Sequence, residues 1–145
     1  MAEFLTFGTH DYRIEDDLLF LRYRGLLTPD DAGRIMELVR QVRAQWGRVL
    51  VLTDSSHGAD LPPETRKAFM DALTPETRMD YQAVYGMART TRVMAMLLMR
   101  AARLLGRSQL EIEFFATEAE ARAYLGAMRR VLQSRQAVSS VPSGR

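Results

Sequence analysis

Short hydrophobic runs alternate along this chain with stretches whose apolar residues recur at helical spacing. The clearest run, at residues 49–52, ends abruptly at Thr53 and is followed by Asp54, Ser55 and Ser56. A short apolar run between two helical patterns is typical of a buried strand in an α/β sheet. We therefore predict a central strand over residues 48–53. Its carboxyl end would open into a polar loop, where α/β sheets usually place their binding sites.

The same patterns predict the other elements. Besides the central strand, strands are predicted over residues 4–15, 18–25, 81–87 and 110–116. Helices are predicted over residues 29–46, 63–73, 90–106 and 118–133. Asp16 and Asp17 are typical of a tight hairpin turn between the first two strands. Thr28 followed by a proline is a good helix start, and Gly47 is a good helix stop.

The order of these elements predicts the fold class. Strands that alternate with helices form mostly parallel sheets with right-handed crossovers, here extended by an antiparallel N-terminal hairpin. A sheet that helices cover on both faces has strands that are apolar throughout. The strands at 18–25 and 110–116 instead carry charges on alternate residues. We therefore predict an α/β fold with helices mainly on one face.

Composition narrows the class of protein. The chain has 145 residues, of which 47% are hydrophobic, and no cysteine. This length and hydrophobic content are typical of a single globular domain. Without cysteine, the chain can form neither disulfides nor thiolate metal sites. No apolar run is long enough to span a bilayer, and the N-terminus does not resemble a secretory signal, so we expect a cytoplasmic protein. The polar, small residues from position 134 predict a single domain over residues 1–133 and a disordered tail over 134–145.

Charge and histidine content argue against several functions. The formal net charge is only +2, and arginines alternate with acids, whereas nucleic-acid binding favours a concentrated basic face. The two histidines, His10 and His57, lie far apart in sequence, so neither a metal site nor a bound cofactor is expected. A catalytic triad around His57 would need adjacent residues to reach hydrogen-bond geometry, and the chain has no nucleophile-elbow motif. We expect no catalytic residues.

Two segments remain as candidate sites. Asp54, Ser55 and Ser56 are candidates for anion binding or phosphorylation, or they form an ordinary polar loop at a strand end. The helix at 90–106 carries hydrophobic residues over an unusually wide arc. The candidate interface residues on it are Val93, Met94, Met96, Leu97, Leu98 and Met99. Such a helix is wedged between the sheet and its neighbours, or it forms a dimer interface or lines an apolar ligand pocket.

Three stretches of sequence carry a resemblance to a known family. They are LLFLRYRG (18–25) with LTPDD (27–31), VLVLTD (49–54) with LPPE (61–64), and FFATEAEA (114–121). In this order they resemble the STAS/SpoIIAA-like family of anti-sigma-factor antagonists and sulfate-transporter tails. The resemblance covers roughly residues 7–128. It is strongest to the small bacterial branch that is related to CRAL-TRIO lipid-binding domains.

The resemblance implies a non-enzymatic binding or regulatory domain. Its partner would be a protein, including a second copy of this chain, or an apolar, lipid-like ligand. We expect binding through the methionine-rich helix and the loop after the central strand. The alternative is a phospho-regulated anti-sigma-factor antagonist with its switch at Ser55 or Ser56. In that family the serine lies in an Asp-Ser-Ser-Gly-type turn, whereas here His57 precedes Gly58.

Overall fold

A computed structural model describes residues 3–106 and 112–140 of the chain. The strands in this part are β1 (Leu5–Phe7), β2 (His10–Glu15), β3 (Leu18–Arg22), β4 (Gly25–Leu26), β5 (Leu50–Asp54), β6 (Ala59–Asp60), β7 (Tyr81–Tyr85) and β8 (Ile112–Phe115). The helices are α1 (Pro29–Trp46), α2 (Pro63–Asp71), α3 (Arg89–Leu104) and α4 (Glu118–Ser140), with a 3₁₀ turn at Pro75–Thr77.

The main sheet has six strands in the order β1-β2-β3-β5-β7-β8. β1, β2 and β3 pair antiparallel, whereas β3, β5, β7 and β8 pair parallel. β4 and β6 form a separate parallel pair. The predicted α/β class, the N-terminal hairpin and the mostly parallel sheet are confirmed. β5 lies between β3 and β7, as its uninterrupted apolar run predicts.

The N-terminal region contains one more turn than its hydrophobic pattern predicts. Residues 4–15 form two strands, because the chain reverses at Gly8 and pairs Phe7 with His10. Gly8 has a φ of 57°, a left-handed conformation that favours glycine. The predicted turn at Asp16 and Asp17 is present, and Asp16 also has a φ of 57°.

One face of the sheet is covered by α1 and α2. α1 begins with a capping box, in which the Thr28 hydroxyl accepts from the Asp31 amide and the Asp31 carboxylate accepts from the Thr28 amide. Its apolar side packs on the odd-numbered residues of β3 and β5. The buried residues of this layer include Leu19, Leu21, Ile35, Leu38, Val39, Val42 and Val51. Phe69 of α2 packs against the same cluster.

The opposite face is covered at its centre by α4. The buried residues of this second layer are Leu18, Phe20, Leu50, Leu52, Ala83, Tyr85, Ala121, Leu125 and Leu132. The sequence predicts helices mainly on one face, and α4 adds cover where β5 is apolar on both sides. Charged side chains remain on the outer strands of this face, where Arg13 contacts Glu15 and Arg22 contacts Asp11.

α4 extends further than its apolar pattern predicts. It continues to Ser140, so residues 134–140 are helical where the composition predicts a disordered tail. One tertiary contact supports the added turns, because Arg48 Nη1 donates to Gln136 Oε1 at 2.8 Å. The rest of the predicted tail, residues 141–145, lies outside the described residues, as do the first two residues of the predicted strand at 110–116.

Within the described part of the chain, no helix is both long and apolar enough to cross a bilayer.

Candidate functional site

The carboxyl ends of the parallel strands lie side by side, with Arg22, Asp54 and Tyr85 in register. The loop after β5 is held there by backbone hydrogen bonds. The Ser55 amide donates to the Tyr85 carbonyl at 2.9 Å, and the Ser56 amide donates to Asp54 Oδ1 at 2.8 Å. Asp54 therefore acts first as the acceptor of a tight turn, as Asp commonly does at strand ends.

The three polar residues predicted as one anion site differ in their surroundings. Asp54 lies on the α4 side of the sheet. Every second residue of a strand points to the same face, and Leu50 and Leu52 pack under α4. Ser55 is only 7% exposed and lies on the face of the sheet that α1 and α2 cover. Ser56 is exposed. α2 begins at Pro63, so no helix N-terminus lies directly after the serines. Ser56 is thus the serine that an enzyme could reach.

Tyr85 connects this loop to α4. Its hydroxyl donates to Glu118 Oε1 at 3.2 Å. Burial raises the pKa of Tyr85, and the negative charges of Asp54 and Glu118 raise it further. The phenol therefore stays protonated and serves as a hydrogen-bond donor, which does not favour a role as a general base.

The two histidines have different surroundings. His10 is fully buried, and its Nδ1 accepts from the Arg24 amide at 2.9 Å. Its Nε2 therefore carries the proton and faces the Leu26 carbonyl and Asp31 Oδ2 at 3.0 and 3.2 Å. His57 is exposed on the loop after β5. Among residues 3–106 and 112–140, no three His, Asp or Glu side chains are placed to share a metal ion.

An apolar groove opens on the face of the sheet that α1 and α2 cover. We call it the sheet groove. It encloses about 230 Å³. Its apolar lining includes Leu21, Val51, Phe69, Leu73, Val84 and Met87. Tyr23, Thr53 and Ser55 form a polar end at the carboxyl ends of β3 and β5. Burial raises the pKa of Tyr23, so its hydroxyl stays neutral beside Thr53.

Of the residues that line the sheet groove, the sequence singled out only Ser55 as a candidate site residue. Its residues come from several elements that are distant in sequence, so no single periodicity reveals them. In the folded chain, uneven cover of the two faces of β7 marks the groove. Val84 is only half-buried, whereas its neighbours Ala83 and Tyr85 on the other face are buried. A strand that is better covered on one face than on the other indicates a gap beside it.

The methionine-rich helix, α3, lies at the edge of the sheet beside β8. Arg103 of α3 donates to the Ile112 carbonyl at 3.3 Å. No residue of α3 is buried. Of the candidate interface residues, Val93, Met94, Leu97 and Leu98 are exposed, and Met96 and Met99 are half-buried. α3 is therefore not wedged between the sheet and other helices, which was one of the predicted alternatives.

A second cavity, of about 470 Å³, lies where the β2–β3 turn meets α4. Arg48, Arg122 and Arg129 line it, and each is paired with a carboxylate of Glu15 or Asp17. Asp16 also lines the cavity, so three arginines face three carboxylates. Because these charges balance, the cavity does not favour an anionic ligand.

Comparisons with known proteins agree with the fold. The chain is similar in structure to an uncharacterized protein from the DUF3478 family with a SpoIIAA-like fold, from Shewanella loihica PV-4. The TM-score is 0.54 at 16% sequence identity, over 86% of this chain and 92% of that one. A search of curated proteins finds none that matches this chain. The SpoIIAA-like family model matches residues 18–126, which span β3 to the middle of α4, and the chain therefore belongs to the SpoIIAA-like family.

Proposed function

We propose that this protein is a non-enzymatic binding domain whose sheet groove holds an aliphatic, lipid-like ligand. The observation that carries the proposal is the groove itself, which is lined mainly by apolar side chains, with Tyr23, Thr53 and Ser55 at the carboxyl ends of the strands and Gln82 as a further polar group. Ligand sites are commonly of this kind, with apolar walls and a few polar groups that orient the ligand. The SpoIIAA-like fold is consistent with a binding or regulatory domain.

The size and lining of the groove suggest the class of ligand. Its volume of about 230 Å³ is below the roughly 300–1,000 Å³ of sites for drug-sized ligands. It therefore suits a short aliphatic chain or the end of a longer one. Tyr23, Thr53 and Ser55 carry neutral hydroxyls, which would hydrogen-bond a carboxylate or hydroxyl headgroup next to the loop after β5.

Titratable side chains on the two faces of the sheet support a binding role rather than catalysis. His10 uses both ring nitrogens inside the fold, and Tyr85 is held as a neutral donor. A nucleophilic mechanism needs a nucleophile within hydrogen-bond reach of a base. Ser55 is the serine in the groove, and its recorded contacts are backbone hydrogen bonds with Tyr85 and Gly58.

Native mass spectrometry of the protein purified from cells, followed by titration with dodecanoate, tests this function. We expect retained or added aliphatic mass and saturable binding. Leu73→Glu places a charge at the groove and should weaken dodecanoate binding by about tenfold or more. Met70→Glu is the matched control, because Met70 is exposed on α2 and does not line the groove.

Two results would contradict the proposal. One is an absence of dodecanoate binding by a protein whose circular dichroism is that of a folded α/β domain. The other is an equal loss of affinity in Leu73→Glu and Met70→Glu, which would place the binding surface outside the groove. Light scattering on the same samples reports whether the protein instead pairs with a second copy.

The alternative function, a phospho-regulated anti-sigma-factor antagonist, would use Ser56. Ser56 is exposed, whereas Ser55 is buried under the end of β7. Phosphopeptide mapping from the host would find the phosphate on Ser56 if this function is correct. A phosphate on Ser55, or none under any growth condition, would argue against it.

A further inference from the structure

The outward side of α3 is an exposed apolar surface that takes no part in the sheet groove. The residues that line the groove lie outside α3. We call the following exposed residues the α3 outer face: Val93, Met94, Leu97, Leu98, Leu104 and Leu105. From its position, exposure and charge, we infer that α3 docks this face on an anionic lipid surface.

The outer face is continuous and points away from the sheet. At about 100° per residue, its members fall within an arc of about 140°. The half-buried residues Ala95, Met96, Met99 and Ala102 lie on the other side of the helix, which faces the protein. Leu98 is 67% exposed and Leu104 is 88% exposed, so this apolar arc lacks cover from the described part of the chain. Contiguous exposed apolar patches commonly mark interaction surfaces.

The charges on α3 have a single sign. The helix carries Arg89, Arg92, Arg100 and Arg103 and no acidic residue. Their helical positions fall within an arc of about 80° beside the outer face. Arg103 contacts Glu113 at 3.8 Å, whereas Arg89, Arg92 and Arg100 have no acidic partner among the described residues. Arg89 and Arg100 are exposed and Arg92 is half-buried, so within the described part of the chain Arg89 and Arg100 are the more accessible to an external anion.

An apolar face bordered by arginines matches a bilayer surface that contains anionic lipid. Helices of this type lie in the plane of the interface, with leucines among the acyl chains and basic residues at the headgroups. The long arginine side chains can extend to the headgroups from the margin of a buried face. Each basic residue near an anionic surface strengthens binding through charge attraction.

The charge pattern does not favour a second copy of this chain as the occupant. A symmetric contact between two outer faces would bring together two helices that carry arginines and no acidic residue, so neither helix would supply the opposite charge. Like charges at an interface oppose association. An anionic bilayer supplies both the apolar layer and the opposite charge.

Vesicle cosedimentation of the full chain tests the inference. We expect binding to phosphatidylcholine vesicles that contain about 30% phosphatidylglycerol, and little binding to phosphatidylcholine alone. Binding should fall strongly at about 0.5 M salt, where charge attraction is screened. Leu98→Glu should reduce binding by about tenfold or more, and the double variant Arg92→Gln/Arg100→Gln should abolish the preference for anionic vesicles.

Two control variants make the result specific. Leu26→Glu changes a leucine that is 53% exposed on β4, away from α3, and should bind vesicles like the wild type. Leu73→Glu, the groove variant, should also bind vesicles normally, so a failure of the groove proposal is distinct from a failure of this one.

Three outcomes would overturn the inference. They are equal binding to neutral and anionic vesicles, wild-type binding by Leu98→Glu, and no vesicle binding at all. In the last case, a dimer in light scattering that Leu98→Glu abolishes would assign the α3 outer face to a second copy. An acidic protein that binds the wild type but not Leu98→Glu would assign it to a protein partner.

Discussion

Arg129 of α4 donates from Nε and Nη2 to the carboxylate of Asp17, in the turn between β2 and β3, with a shortest distance of 2.6 Å. Arg48, just before β5, donates to the same carboxylate from Nε at 2.6 Å. Asp17 is only 2% exposed. One buried carboxylate therefore joins the hairpin, the central strand and the helix that covers the second face, although Asp17 and Arg129 are far apart in sequence.

Asp17→Asn should lower the free energy of unfolding by roughly 2–4 kcal/mol, because two arginines would lose their shared anion in a largely buried position. Urea denaturation followed by circular dichroism measures the change. The matched control is Asp71→Asn, which removes the exposed Lys67–Asp71 pair and should leave the free energy of unfolding almost unchanged. Similar losses in the two variants would contradict a special role for Asp17.

Asp17 should also make stability depend on pH. Burial raises the pKa of Asp17, but hydrogen bonds and charge from Arg129 and Arg48 outweigh it and hold the pKa below its ordinary value of 3.8. The ionised pair therefore stabilises the fold above that value, and this contribution is lost as the pH falls through the lower pKa of the folded state. The stability difference between wild type and Asp17→Asn should shrink below about pH 4. A difference that stays constant from pH 7 to pH 2 would contradict the assignment.

Gly8→Ala should destabilise the protein by about 1–3 kcal/mol. A Cβ at Gly8 would lie 2.5 Å from Asp31 Oδ1, and its φ of 57° is already unfavourable for alanine. Asp31 cannot move freely, because it caps α1 and contacts His10. Gly33→Ala is the control. Gly33 lies within α1 with open space around it, so alanine should stabilise the helix by about 0.5–1 kcal/mol. Thermal unfolding of both variants tests the opposite signs.

The two serines after β5 should respond differently to a negative charge. Ser55→Asp places a carboxylate where the side chain is 7% exposed, and we expect a loss of about 2–4 kcal/mol in stability. Ser56→Asp adds the charge at an exposed position, and the change should be under about 1 kcal/mol. Urea denaturation compares them directly. A tolerated Ser55→Asp would show that this serine is more accessible than the structure indicates.

Local sequence patterns predicted most of the elements, because each pattern reflects an interaction within a few residues. The capping box at Thr28 and the helix stop at Gly47 are both present where the residue types indicate them. The apolar run at 49–52 correctly predicted a central strand. The same reasoning joined β1 and β2 into one strand, since the turn at Gly8 lies within a stretch that otherwise favours an extended chain.

The candidate sites were predictable only as segments. The wide apolar arc of α3 allowed two alternatives, a helix wedged between the sheet and its neighbours or a helix with a free apolar side. Exposure of Leu97 and Leu98 excludes the first. The sequence did not distinguish them from Met96 and Met99, which face the protein more closely. It also grouped Ser55 with Ser56. In the folded chain Ser55 is buried beside the end of β7, whereas Ser56 is exposed.

Residue order alone thus sufficed for most of the succession of strands and helices, apart from the turn at Gly8 and the short β4–β6 pair, and for the surplus of hydrophobic side chains on α3. Both depend on backbone preferences and periodicity over a few turns. The packing of α4 on the second face, the Asp17–Arg129 contact and the sheet groove needed the folded chain. Each joins side chains from distant segments, and only the complete arrangement of strands and helices determines which of them meet.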